Sequence, residues 1–350
     1  MKIVAVNYTK IGLFLDPKNE KIRSRKSSSI MNRIFMPFVF LLFLHTCGLA
    51  QSAYVPDTLF GTTGFDIPGS GLFRGYETLK MADKSYITFG ANGLLGIYAQ
   101  KLKPCGKLDS SFGTNGVLST RHKEATINVH FGTVDNNGKI CLGGICRNSN
   151  LAYDFPCLIR LNPNGSVDQQ FGDNGRVIFN IQSSVPNAPR DLEAVHILSD
   201  GKILCAGGTQ ENFFSARLLP NGTLDNSFGT SGILYLNPIL PNQNSVTNNG
   251  RGYLLDDGMM VLIKSFNVGG SDVTTCLANV KNDGTFDVQV GNGGLVSLGN
   301  KFGFSFMGII GEKIVGLQTI SSLDSTRNYF RRFKSELSVD SSFGTEGGIK

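Results

Sequence analysis

One eight-residue pattern constrains this chain more than any other feature. Asp-x-x-[Phe/Val]-Gly-x-x-Gly occurs six times without a gap. The copies are Asp57, Phe60, Gly61 and Gly64; Asp109, Phe112, Gly113 and Gly116; Asp168, Phe171, Gly172 and Gly175; Asp225, Phe228, Gly229 and Gly232; Asp287, Val290, Gly291 and Gly294; and Asp340, Phe343, Gly344 and Gly347. Successive Asp residues stand 52 to 62 positions apart. A period of that size marks a repeat architecture, in which each unit covers its apolar face by stacking on its neighbours.

The recurrence reaches beyond the eight residues. Seven positions before each later Asp is an apolar residue: Leu102, Leu161, Leu218, Val280 or Phe333. Eight before is a cation in four of five units (Lys101, Arg160, Arg217, Arg332), with Asn279 as the exception. Three before is Gly106, Gly165, Gly222 or Gly284, with Leu337 as the exception. A second signal, turn then strand, reads Asn137-Gly138-Lys139-Ile140 and Asp200-Gly201-Lys202-Ile203, with weaker versions at Asp257-Gly258 and Gly311-Glu312-Lys313-Ile314.

Each position has a physical reading. Asp starts a tight turn by accepting a bond from the backbone two residues on. Glycine supplies the positive φ that such turns need. Phe between them folds back as an apolar plug. Asn-Gly and Asp-Gly are the strongest short hairpin signals. The flanking runs are short and rich in Val, Ile, Leu and Phe, with no sustained helical period. A unit therefore holds about four short strands, the content of one propeller blade. The expected fold is all-β: a β-propeller of four-stranded blades. Five blades close a ring in one reading, with the strand after the sixth motif pairing beside the strand after Gly64. The alternative is a fragment of a larger propeller. The fifth motif, with Val290 and no cation upstream, marks a degenerate blade.

The pattern Arg-Leu-x-x-x-Gly-x-Leu-Asp-x-x-Phe-Gly-x-x-Gly, complete from Arg217 to Gly232, resembles the delta-60 repeat. The resemblance covers roughly residues 55–350. It implies a β-propeller in an exported bacterial protein, often with a separate C-terminal sorting or anchoring segment, and it implies no activity.

The start of the chain reads as a targeting segment. Net charge is +6, and residues 1–50, with eight Lys/Arg against two Asp/Glu, hold all of it. Met31-Asn32-Arg33 precedes an apolar run over 34–44 and a small-x-small site at Gly48 and Ala50, the layout of a signal peptide cleaved between Ala50 and Gln51. The apolar run is too short to prefer a membrane span. The expected division is 1–30, an over-long start or disordered extension; 31–50, the signal peptide; and 51–350, the repeat domain. The location is secreted or cell surface. From Gln51 onward the charges balance, which argues against a nucleic-acid partner.

No chemical motif accompanies the frame. The three mature histidines, His122, His130 and His196, have no ligand spacing and read as surface or satisfied strand residues. Cys105, Cys141, Cys146, Cys157, Cys205 and Cys276 remain after cleavage. They read as mostly buried thiols, with a disulfide as the alternative that export permits. No catalytic, cofactor-binding or metal-ligating residue is assigned. An Asp that recurs in every unit is a structural turn cap, because an active site is a single constellation. The stretches 183–191 and 237–251 belong to one unit each, and such loops carry function more often than a frame does. The expected function is a monomeric binding scaffold acting through propeller-face loops on a protein or glycan ligand. The alternatives are a secreted hydrolase or lyase acting on polysaccharide or peptide at a central channel, and a structural or adhesive surface module.

Overall fold

The computed structural model describes residues 73–92, 96–120, 125–148, 154–181, 191–208, 213–236, 246–255, 260–269, 272–300, 302–310, 313–321, 326–345 and 348–349. The first motif, Gly347, His122, the signal peptide with its Ala50–Gln51 site, and the expected extension over 1–30 lie outside them.

Among the described residues every element is a strand, and the twenty strands form five sheets of four. Sheet 1 contains β1 (Phe73–Lys80), β2 (Tyr86–Asn92), β3 (Ile97–Leu102) and β4 (Val117–Thr120). Sheet 2 contains β5 (Ala125–Val134), β6 (Ile140–Asn148), β7 (Asp154–Leu161) and β8 (Arg176–Ile178). Sheet 3 contains β9 (Asp191–Ile197), β10 (Ile203–Gly208), β11 (Phe213–Leu218) and β12 (Ile233–Tyr235). Sheet 4 contains β13 (Val246–Leu254), β14 (Met260–Gly269), β15 (Asp272–Val280) and β16 (Leu295–Asn300). Sheet 5 contains β17 (Phe302–Ile310), β18 (Lys313–Ser321), β19 (Thr326–Phe333) and β20 (Gly348–Ile349). All pairings are antiparallel and sequential, so each sheet is a meander. This is the β-propeller architecture.

The register corrects the phase of the unit read from sequence. Each of the five motifs among the described residues joins the third strand to the fourth, so the strand that follows it completes the sheet already begun. The strand after the sixth motif pairs with β19, Phe330 opposite Ile349, and finishes sheet 5. The strand after Gly64 lies outside the described residues.

Four apolar cores join the sheets in chain order. Phe89, Ile97 and Phe112 meet Val129 and Leu142 between sheets 1 and 2. Phe171, Leu158 and Cys141 meet Phe214 and Val195 between sheets 2 and 3. Phe228 and Leu204 meet Ala278 and Val280 between sheets 3 and 4. Val290 and Leu277 meet Ile314, Phe333 and Leu337 between sheets 4 and 5. β1, β5, β9 and β17 each carry a β-bulge against their second strand, a device that bends a strand and raises its twist.

The antiparallel order separates two ends of every sheet. At one end, the entry end, first strands begin, second strands turn into third strands, and fourth strands leave for the next sheet. The opposite end holds the hairpin between first and second strands and the turn built by the Asp-x-x-Phe-Gly-x-x-Gly motif. All the described copies of that motif therefore sit on one side. Of the non-repeated stretches expected as loops, 183–190 and 237–245 lie outside the described residues, Asp191 opens β9, and 246–251 are not loop but part of β13, paired with β14.

Candidate functional site

At the signature end the motif side chains converge in the same way from sheet to sheet. Asp225 Oδ1 accepts from the Ser227 amide (3.1 Å) and hydroxyl (2.6 Å). Its Oδ2 accepts from Arg217 Nε at 2.7 Å and pairs with the Lys202 ammonium at 3.1 Å. The same three groups meet at Asp168 (Gln170 amide, Arg160 and Lys139) and at Asp340 (Ser342, Arg332 and Lys313). The lysines come from the turn-then-strand signal, so the two repeated sequence signals describe one cluster. Asp109 takes Ser111 and Lys101, and Asp287 takes the Gln289 amide and a looser Lys281 at 3.6 Å. The serine and cation bonds hold the Asp225 carboxyl well below the usual carboxylate range. At Asp168, burial opposes the ionised form, but Lys139 and Arg160 outweigh it and the net direction is also down.

The plug and the glycines form a joint between sheets. Phe112, Phe171 and Phe228 are fully buried, and the Arg160 and Arg217 guanidiniums lie 4.1 and 5.0 Å from the Phe171 and Phe228 ring centres. Each plug meets the turn that ends in the next sheet's glycine. A Cβ on Gly165 would come within 3.0 Å of Phe112, and one on Gly222 within 2.9 Å of Phe171. The first motif glycine donates its amide across the same boundary: Gly113 to the Asn164 carbonyl, Gly172 to Asn221 and Gly229 to Asp283, at 2.8, 2.8 and 2.9 Å. Arg160 Nη1 reaches the Pro220 carbonyl at 2.5 Å, and Arg217 Nη1 reaches that of Asn282.

The three departures from the repeat come together at a single joint. Val290 replaces the plug in sheet 4, and Leu337 replaces the glycine it faces in sheet 5, and both are buried in one apolar core. Leu337 keeps the positive backbone angle of the glycines, φ 60°. Asn279 replaces the arginine, and its Nδ2 donates to the Ser335 carbonyl at 2.8 Å, the turn position that Arg160 and Arg217 address elsewhere. The degenerate blade is therefore a compensated joint: side-chain volume has moved from plug to turn, and a shorter donor makes the crossing bond.

The first strands carry a second, unrepeated set of contacts. Glu77 Oε2 on β1 accepts from the Gly132 amide on β5 at 2.9 Å. His130 Nδ1, at the β5 bulge, lies 2.7 Å from Asp191 Oδ2, the first residue of β9. His196 Nε2 on β9 lies 3.0 Å from the Gly252 carbonyl on β13, and burial lowers its pKa. The side chains of three successive first strands thus each hold the next sheet. His130–Asp191 is the one of these contacts with proton-transfer chemistry, a carboxylate orienting an imidazole. The sequence hinted at it only through Asp191, which closes a non-repeated stretch. Among the described residues no three His, Cys, Asp or Glu side chains converge as metal ligands, and no helix is long and apolar enough to cross a membrane.

Cysteine usage differs from expectation at one pair. Cys146 and Cys157 form a disulfide across β6 and β7. In that register Cys146 faces Phe155 and Cys157 faces Gly144, a diagonal placement with Cα atoms 5.7 Å apart, within bridging range. Cys141, Cys205 and Cys276 are buried thiols and Cys105 is exposed. Burial pushes Cys141 up to about 12 and Cys276 to about 11, so neither is a nucleophile.

A family model described as a domain of unknown function (DUF5122) beta-propeller matches residues 136–171 and 198–228. Those segments run from the hairpin signal to the motif in sheets 2 and 3, so the chain carries β-propeller repeats. No curated protein matches it. Among solved structures it is similar to an endo-arabinase from Bacteroides thetaiotaomicron, with 12% identity over 75% of this chain and 96% of that one, TM-score 0.39. It is also similar to an endo-1,4-beta-xylanase from the same organism, with 11% identity, 75% and 91% coverage, and TM-score 0.37. A protein from Lactobacillus plantarum gives 9%, 76%, 69% and 0.39. At these TM-scores the likeness says nothing about chemistry.

Proposed function

We propose that this chain is an exported binding scaffold whose contact surface is the entry end of its sheets, where the sequence inserts the non-repeated segments 183–190, between β8 and β9, and 237–245, between β12 and β13. The observation that carries the reading is the separation of the two ends. The described motif residues cap turns and pack sheet-to-sheet joints at one end, which leaves the other free to vary without touching them. Two further observations support it. The His130–Asp191 pair belongs to the first strands and occurs once. The Cys146–Cys157 bridge suits an oxidising compartment, in line with the signal peptide read over 31–50. The ligand is a protein or glycan.

The test is a glycan array and a panel of polysaccharide and peptide hydrolase substrates, run on the whole chain and on a variant with residues 237–245 replaced by a Gly-Ser linker. The expected result is binding without turnover, lost in the linker variant while its melting temperature stays unchanged. Binding that survives the replacement sinks the entry-end assignment. Turnover abolished by His130→Ala would establish the hydrolase instead.

A further inference from the structure

One residue breaks the pattern of the sheet-to-sheet cores in a way that the frame does not use. The position after the second motif glycine begins each fourth strand. In sheets 3 and 4 it is Ile233 and Leu295, which pack against the cores that join those sheets to their predecessors. Sheet 2 has Arg176 there, paired in register with Ile159. Arg176 lines a cavity of about 240 Å³ between sheets 1 and 2, together with Gly96, Ile97, Ile127, Ile159 and Val167. Gln169 and Asn174 add polar groups to the wall. The Arg176 Nε is buried and has no hydrogen-bond partner among the described residues. Arg176 as a whole is half-buried, and it differs in this from the buried Arg160 and Arg217, whose Nε atoms meet a motif aspartate.

A buried guanidinium donor without an acceptor is costly, and a guanidinium fork matches a carboxylate edge on. The rest of the lining is aliphatic and suits a short hydrocarbon tail. The volume falls below the roughly 300 Å³ at which pockets for larger ligands begin, so the occupant is small. We propose that the cavity between sheets 1 and 2 is a binding site for a small aliphatic monocarboxylate, with Arg176 taking the carboxylate and Ile97, Ile127, Ile159 and Val167 holding the tail.

The experiment is a thermal-shift and calorimetric titration of the whole chain with acetate, butyrate and hexanoate. Butyramide, chloride and inorganic phosphate serve as controls. The expected result is a saturable rise in melting temperature with butyrate and none with butyramide. In Arg176→Ile, which installs the residue sheet 3 uses at this position, butyrate should bind about tenfold to a hundredfold more weakly, the loss of one charge-assisted hydrogen bond. The unliganded variant should melt no lower than the wild type, which separates lost binding from lost folding. No saturable response to any of the three acids overturns the proposal. So does an equal response in Arg176→Ile, or one matched by chloride or phosphate. Because none of the residues that line this cavity falls within 237–245, the butyrate response should persist in the linker variant whether or not entry-end binding is found.

Discussion

Asp225 shows how much one side chain carries in this frame. One carboxylate oxygen caps the turn, and the other neutralises two cations. Asp225→Ala leaves the Arg217 guanidinium buried against Phe228 without its counter-charge, and breaking such a pair costs about 3 kcal/mol. Asp287, with no arginine and only a loose lysine, does little beyond capping, so Asp287→Ala should cost about 1 kcal/mol. Urea denaturation of the two variants measures the difference, and equal losses would remove the arginine from the account. The same carboxylates set the acid limit. Asp109, Asp168 and Asp225 are all held below their ordinary range. In the unfolded chain they titrate near pH ~3.9, so folding binds fewer protons. Their contribution is complete above that value and drains away as pH falls through the folded values. The melting temperature should therefore hold between neutral pH and about pH 5 and drop below about pH 4, with a shallower drop in Asp225→Ala.

At the scale of the element, the informative unit is the joint between two sheets. Val290→Phe overpacks the boundary between sheets 4 and 5, at about 1–3 kcal/mol, and Leu337→Gly empties it, at about 2–5 kcal/mol. Made together they rebuild the plug and glycine found between the earlier sheets, so the double variant should lose less than the sum, by at least about 1 kcal/mol. A double-mutant cycle by denaturant titration measures that coupling, and strict additivity would mean the two residues do not compensate. The joint also shows what was legible in the sequence. The turn chemistry of Asp, Phe and Gly could be read because it depends on residues a few positions apart. Val290, Asn279 and Leu337 were each visible as exceptions. Their meeting was not, because Val290 and Leu337 come into one core only once two sheets stack. Cys146 and Cys157 were hidden for a similar reason, since the diagonal that joins them depends on the register of β6 against β7. His130 and Asp191 lie on different sheets and belong to no repeat, so no spacing could pair them.

At the scale of the molecule, each described core joins one sheet to the next, and stability is close to a sum of such neighbour terms. Sheets 2, 3 and 4 are each packed on two sides by these cores. Hydrogen exchange should give their central strands the slowest opening, with sheet 2 tied further by its disulfide. Replacing Cys146 and Cys157 with serine should cost about 3 kcal/mol, the order expected for releasing a short loop, and exchange should quicken first in β6 and β7. Uniform slowing over all five sheets would instead indicate a single cooperative unit.

The joint has one more consequence, for how such a chain can grow. Each unit presents a plug at its own signature turn and a glycine pocket for the plug before it, so a tandem duplication copies both halves of a fastening at once. The Val290–Leu337 joint is the exception, because it is keyed. An inserted copy of an ordinary unit would set phenylalanine against Leu337 on one side and glycine against Val290 on the other. That boundary fixes the order of the units on either side of it, whereas the earlier boundaries tolerate insertion.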